Sequence, residues 1–97
     1  MDHQNASDLA LILCLENGKP LAEAHGEVLY GASFLEWFAT QAEMTHGEVV
    51  PSANLNQRIL TFKQPVGIAA VLSPWNFPIA MITRKVGAAI AAGCTTV

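Results

Sequence analysis

Ile68-Ala69-Ala70-Val71-Leu72-Ser73-Pro74-Trp75-Asn76-Phe77-Pro78 is the stretch that decides the fold. Its first five residues form a short, continuous apolar run, the pattern of a strand buried on both faces. A loop with two prolines follows at 73–78. Residues 78–92 then recur at helical spacing: Ile79, Ile82, Val86 and Ile90 make one apolar face. Ala80, Arg84, Gly87, Ala88 and Ala91 make a second face that is small apart from one charge. Gly93 is placed to end this helix, and Cys94-Thr95-Thr96-Val97 opens another strand. Strand, loop, helix, strand is the start of a βαβ unit, so the fold class is α/β with a parallel sheet that needs further partners. The last strand stops within its run, as expected of an amino-terminal fragment.

Working outward, Pro65-Val66-Gly67 breaks the chain before this unit. Residues 58–64 read as a strand in which Leu60 and Phe62 alternate with Thr61 and Lys63. Residues 51–57 are polar and read as a loop. Upstream, Pro20 can start a helix that ends near Gly47, with Leu21, Ala24, Val28, Ala32, Leu35, Phe38 and Ala42 on its apolar face. Glu23, Glu27, Glu36 and Glu43 are expected to face water. Gly26 and Gly31 each cost this helix about 1 kcal/mol relative to Ala, which close approach of another element would offset. Residues 7–16 form a first helix, capped by Ser7 or Asp8 and closed by Asn17-Gly18. It is apolar almost all round and should be covered. Trp37 and the phenylalanines are expected in the core. Three parts result: a helical part at 1–50, a strand at 57–67 and the βαβ start at 68–97.

Composition sets the outer limits. The chain has 97 residues, of which 52% are hydrophobic and 13% charged, a balance that favours burial over disorder. A net charge of -3 gives no reason to expect nucleic acid. No apolar run approaches the roughly 18 to 20 residues of a membrane span, so no membrane partner is expected. Met1-Asp2-His3-Gln4-Asn5 lacks the basic start of a secretory signal. Cys14 and Cys94, and likewise His3, His25 and His46, are too scattered for a disulfide framework or a metal site. There is no G-x-G-x-x-G, and Gly18-Lys19 lacks the spacing of a phosphate loop.

The residue with chemistry in it is Asn76. Ligands of open α/β sheets bind outside the carboxyl ends of strands, where the loop 73–78 sits. A side-chain amide on a proline-stiffened loop can donate to a carbonyl oxygen that gains charge in a reaction. The plainer reading is a turn asparagine. A resemblance adds to this. Pro74-Trp75-Asn76-Phe77-Pro78 looks like the signature of the aldehyde dehydrogenase superfamily. Glu16-Asn17-Gly18-Lys19-Pro20-Leu21-Ala22-Glu23-Ala24, Lys63-Gln64-Pro65-Val66-Gly67 and Gly87-Ala88-Ala89-Ile90-Ala91-Ala92-Gly93-Cys94-Thr95 match its pattern in order. Ser33-Phe34-Leu35-Glu36-Trp37-Phe38 and Met81-Ile82-Thr83-Arg84-Lys85 are similar to the succinate-semialdehyde type.

The resemblance implies a partial Rossmann-like cofactor-binding domain with amino-terminal helices and one strand of a bridging hairpin. It implies oxidation of an aldehyde, succinic semialdehyde in first place, with NAD or NADP, as in γ-aminobutyrate degradation. Asn76 would help form the oxyanion hole for a thiohemiacetal. Trp75 and Asn76 would line the nicotinamide side of the cofactor. Arg84 would meet the substrate's distal carboxylate and approach the cofactor, since guanidinium pairs well with carboxylate. Against this, Arg84 also reads as a snorkelling surface residue beside Lys85. The family's nucleophilic cysteine, its general-base glutamate and its Lys-Pro-Ala-Glu segment would lie beyond Val97. Neither Cys14 nor Cys94 takes the nucleophile's place, and the chain alone is expected to be inactive. The whole enzyme would be a homo-oligomer, cytoplasmic or mitochondrial. The alternatives are a dehydrogenase for another aldehyde and a non-enzymatic chain that associates with full-length subunits.

Overall fold

The first helix begins one residue earlier than its polar residues suggest, because its small residues are needed for packing. In a computed structural model that describes residues 5–97, α1 spans Ala6–Asn17. Met1–Gln4, and with them His3 and the reading of the chain start, lie outside the described residues. Asn5 holds the cap position with no side-chain hydrogen bond, in place of Ser7 or Asp8. Ala6, Ala10 and Leu13 are buried against Ala24 and Val28 of the next helix. The closing turn is as expected: Gly18 is left-handed at φ 74 and its N–H donates to the Cys14 carbonyl. The rest of α1 is not covered. Leu11, Ile12 and Leu15 are exposed, so an all-round apolar helix here packs by one face.

Helix α2, Leu21–Ala42, follows Pro20 directly and lies between α1 and a third helix. It stops five residues before Gly47. Gly47 belongs instead to a small ribbon, where a Cβ would stand 1.8 Å from the Thr61 carbonyl oxygen. In that ribbon β1, Val49–Val50, pairs antiparallel with β2, Ile59–Leu60. The strand expected at 58–64 thus shrinks to two bridged residues. β1 has no counterpart in the sequence reading, because two residues carry no periodicity.

The βαβ unit is present. β3, Ile68–Ala69, pairs in parallel with β4, Thr95–Thr96, in the register Ile68↔Thr95. Val97 N–H donates to the Ala69 carbonyl and Val71 N–H to that of Val97, which extends the pairing. Between the strands α3 runs over Pro78–Ala91, and Gly93 turns the chain out at φ 81. The arrangement is α/β, a partial Rossmann-like unit preceded by two helices. The run 68–72 is not buried on both faces, however: Ile68 in β3 is 75% exposed and Leu72 after it 84%, with β4 as the sheet neighbour.

Helices α2 and α3 run side by side in the same direction, and small residues set their spacing. At Gly31 a Cβ would meet the Ile79 side chain at 3.0 Å and the Thr83 hydroxyl at 3.2 Å. The helix cost of Gly31 is therefore offset by close contact. Gly26 has nothing within 4 Å and no such offset. Trp37, expected in the core, is 61% exposed. Among the described residues no helix is long and apolar enough to cross a membrane.

The described chain is elongated, 65 × 24 × 18 Å, with a radius of gyration of 18.8 Å. A compact chain of this length has about 12.5 Å. Its accessible surface is 7239 Å², against about 5400 Å² for a folded monomer of this mass. Leu55, Phe62, Val66, Leu72 and Val97 are among the exposed apolar residues. Such surface drives association. In sedimentation velocity the isolated chain is expected to run as a concentration-dependent mixture of assemblies. A single monomeric boundary, together with a cooperative melt, would contradict that expectation.

Candidate functional site

Helix α3 has a problem at its start. Pro78 fits the first turn because it has no N–H to leave unpaired. The residue before it, Phe77, has no side-chain acceptor, so the N–H groups of Ile79 and Ala80 lack a local cap. The acceptor comes from α2. Glu27 Oε1 receives the Ile79 N–H at 2.9 Å and the Ala80 N–H at 3.2 Å. Glu27 is 2% exposed, which corrects its assignment to the water-facing set. A carboxylate here also meets the positive end of the helix dipole.

Burying that carboxylate demands a partner, and Lys19 supplies it. Lys19 Nζ lies 2.5 Å from Glu27 Oε2, with both side chains almost fully buried. The same ammonium donates to the Asn76 carbonyl at 2.8 Å and sits 3.7 Å from the centre of the Phe77 ring. The turn between α1 and α2 delivers it there. From the end of α1, Asn17 Nδ2 donates to the Trp75 carbonyl at 2.9 Å. From α3, Lys85 Nζ donates to the Leu72 carbonyl. Three side chains from three places thus hold three carbonyls of the segment 72–77.

With those carbonyls held, the loop side chains are left outward. Trp75 is 82% exposed and Asn76 is exposed, both beyond the carboxyl end of β3. The Asn76 carbonyl is held by Lys19, while its side-chain amide has no hydrogen bond among the described residues. Arg84 is exposed. It leans toward the helix start: Nη2 contacts Met81 Sδ at 3.0 Å, and its guanidinium lies 6.0 Å from the Phe34 ring centre. Trp75 and Asn76 therefore share the loop, and Arg84 lies two turns into the following helix.

The donor set also bears on a nucleotide cofactor. A helix amino terminus is a common phosphate site. That of α3 is taken by Glu27, so phosphates have no place there. The bare indole of Trp75 is a flat apolar wall, suited to a planar ring. Cys14 and Cys94 are half-buried free thiols, Cys14 against the helix core. Among the described residues no cluster of His, Cys, Asp or Glu could hold a metal ion.

Asn17, Lys19 and Glu27 were missed by sequence reasoning. One signal was available: a helix that opens Phe77-Pro78, with no Ser, Thr, Asp or Asn at the cap, needs an acceptor from elsewhere.

In sequence and in fold the chain is similar to several known proteins. The mitochondrial succinate-semialdehyde dehydrogenase of Homo sapiens is 60% identical over 94 residues, which are 97% of this chain and 18% of the human protein. The glutarate-semialdehyde dehydrogenase of Pseudomonas aeruginosa is 54% identical over 94 residues, 97% of this chain and 20% of that one. A crystal structure of succinate-semialdehyde dehydrogenase from Burkholderia pseudomallei superposes with a TM-score of 0.93 at 55% identity, covering 97% of this chain and 20% of that chain. The chain thus spans about a fifth of the length of the relatives it matches. The family model described as the aldehyde dehydrogenase family matches residues 2–97, and the chain belongs to that family.

Proposed function

We propose that this chain forms part of an NAD(P)-dependent dehydrogenase that oxidises an aldehyde bearing a distal carboxylate, with succinic semialdehyde as the first choice. The observation that carries this reading is the Asn76 side chain, exposed on a loop whose Leu72, Trp75 and Asn76 carbonyls are held from behind. A preorganised amide costs no reorganisation when charge develops on the carbonyl oxygen of the aldehyde. Asn76 Nδ2 then donates to that oxygen as a nucleophile adds to the carbonyl carbon. NAD or NADP, when bound, supplies the two-electron oxidant. Trp75 and Asn76 would give the nicotinamide one wall and exclude water on that side, and Arg84 would approach it. The attacking cysteine and the general-base glutamate belong to other parts of the complete subunit, so the chain alone does not turn over.

Arg84 is the residue proposed to choose the substrate. Arg84 is exposed, without an acidic partner among the ion pairs of the described residues, and its guanidinium leans back to Met81. Both relatives named above act, by name, on a semialdehyde, one of succinate and one of glutarate. Each such substrate carries a carboxylate at its far end, which a guanidinium recognises with charge-assisted hydrogen bonds. The glutarate relative supports a second reading with a five-carbon substrate. A non-enzymatic role is supported only by the exposed apolar surface.

The proposed division is a helical part at 1–50, a bridging strand at 57–67 and the βαβ start at 68–97. The β1–β2 ribbon, with Val49 76% exposed, suits a segment that joins subunits of a homo-oligomer. A cytoplasmic or mitochondrial site goes with this reading.

Two substitutions test it in the complete subunit that carries this segment. Asn76→Ala is expected to lower kcat by about 10²–10³-fold, the usual loss for one oxyanion donor, with less change in cofactor affinity. An unaltered kcat, with the chemical step rate-limiting, removes Asn76 from the reaction. Arg84→Ala should lower kcat/KM for succinic semialdehyde by about 10- to 150-fold while leaving butanal nearly unchanged. Arg84→Gln, which keeps some donor capacity, should lose less. An equal fall for both substrates would assign Arg84 to the cofactor or the fold.

A further inference from the structure

We propose that Lys19 and Glu27 are positioning residues for Asn76, acting together as one device that fixes where its amide points. This inference rests on the oxyanion reading of Asn76. One buried ion pair holds both sides of the same short segment. Lys19 Nζ grips the Asn76 carbonyl at 2.8 Å, and Glu27 Oε1 takes the N–H groups of Ile79 and Ala80, three and four residues further on. Between these grips the Phe77 ring lies against the Lys19 ammonium at 3.7 Å. Pro74 and Pro78 remove backbone freedom at the two ends.

The consequence is geometric. A carbonyl tied from behind fixes the peptide plane that follows Asn76, and so limits where its Cα–Cβ bond can aim. A capped α3 fixes the frame in which the loop ends. Asn17, on the Trp75 carbonyl, applies the same constraint one residue earlier. An exposed loop asparagine would otherwise sample several directions, and a donor displaced by about 1 Å can cost up to 10²-fold in rate. Neither Lys19 nor Glu27 is free to touch substrate: the Glu27 side chain is fully buried and that of Lys19 is 8% exposed. Their effect on catalysis therefore passes through Asn76.

The test is a kinetic cycle in the complete subunit, built so that no buried charge is left alone. Lys19→Met with Glu27→Gln removes the ion pair and the donor to Asn76, yet keeps an acceptor for Ile79 and Ala80. Lys19→Gln with Glu27→Gln is its partner variant and retains a donor at position 19. The first pair is expected to lower kcat by about 10- to 100-fold. Its KM values should change little, and the second pair should recover most of the loss. In the Asn76→Ala background the first pair should cost less than about twofold more, because the group it positions is gone. Without cofactor, backbone amide exchange at 75–77 should rise in the first pair and less in the second.

Several results overturn the proposal. One is an unchanged kcat in a folded Lys19→Met, Glu27→Gln subunit. Another is a loss that recurs in full in the Asn76→Ala background, which marks a general structural effect. Failure of both pairs to fold would make the ion pair a folding element instead. If Asn76→Ala alone leaves kcat intact, the oxyanion reading fails first and takes this inference with it, an outcome the cycle separates from the others.

Discussion

The carboxylate of Glu27 has to be where it is for the rest of the chain to be arranged as it is. Helix α3 starts at Phe77-Pro78 without a cap of its own, and two of its N–H groups turn inward. An acceptor from α2 can reach them only if the two helices lie close, which the small Gly31 permits beside Ile79 and Thr83. The buried charge then needs a cation. The left-handed turn at Gly18 brings Lys19 to it, and that turn also sets α1 against α2. Helix order, helix spacing and loop anchoring thus follow from satisfying one negative charge away from water.

The same constraint divides labour at the sheet end. Because Glu27 uses the amino terminus of α3, this terminus is closed to phosphate, and the loop before it is free to present side chains. Three loop carbonyls face the protein, so Trp75 and Asn76 face outward. In the proposed function these residues supply a flat wall and an amide donor, both supported by rigid elements.

Much of the fold was legible in the sequence because its punctuation is local. Asn17-Gly18, Pro20, Pro78 and Gly93 mark helix ends within one or two residues of where they fall. The strand–loop–helix–strand order of 68–97 was equally plain. Long-range facts were not. Glu27 reads as one of four glutamates on a solvated face, since its hydrogen-bond partners lie 52 and 53 residues away. Trp37 and the outer leucines of α1 read as core, because periodicity reports which face is apolar and not whether anything covers it. The loop 73–78 stood out by its prolines and Asn76, and its resemblance to the family signature Pro74-Trp75-Asn76-Phe77-Pro78 decided for it, whereas the side chains that hold it came from segments read as packing.

The arrangement of the chain depends most on Lys19 and Glu27 being one coupled, buried unit, and unfolding free energies of a double-mutant cycle test this directly. Breaking a buried pair from one side costs about 3–5 kcal/mol, since a charge is left without its partner. Lys19→Met alone should therefore destabilise the complete subunit more than Lys19→Met combined with Glu27→Gln. Losses that simply add, leaving the double variant the least stable of the set, would contradict the account.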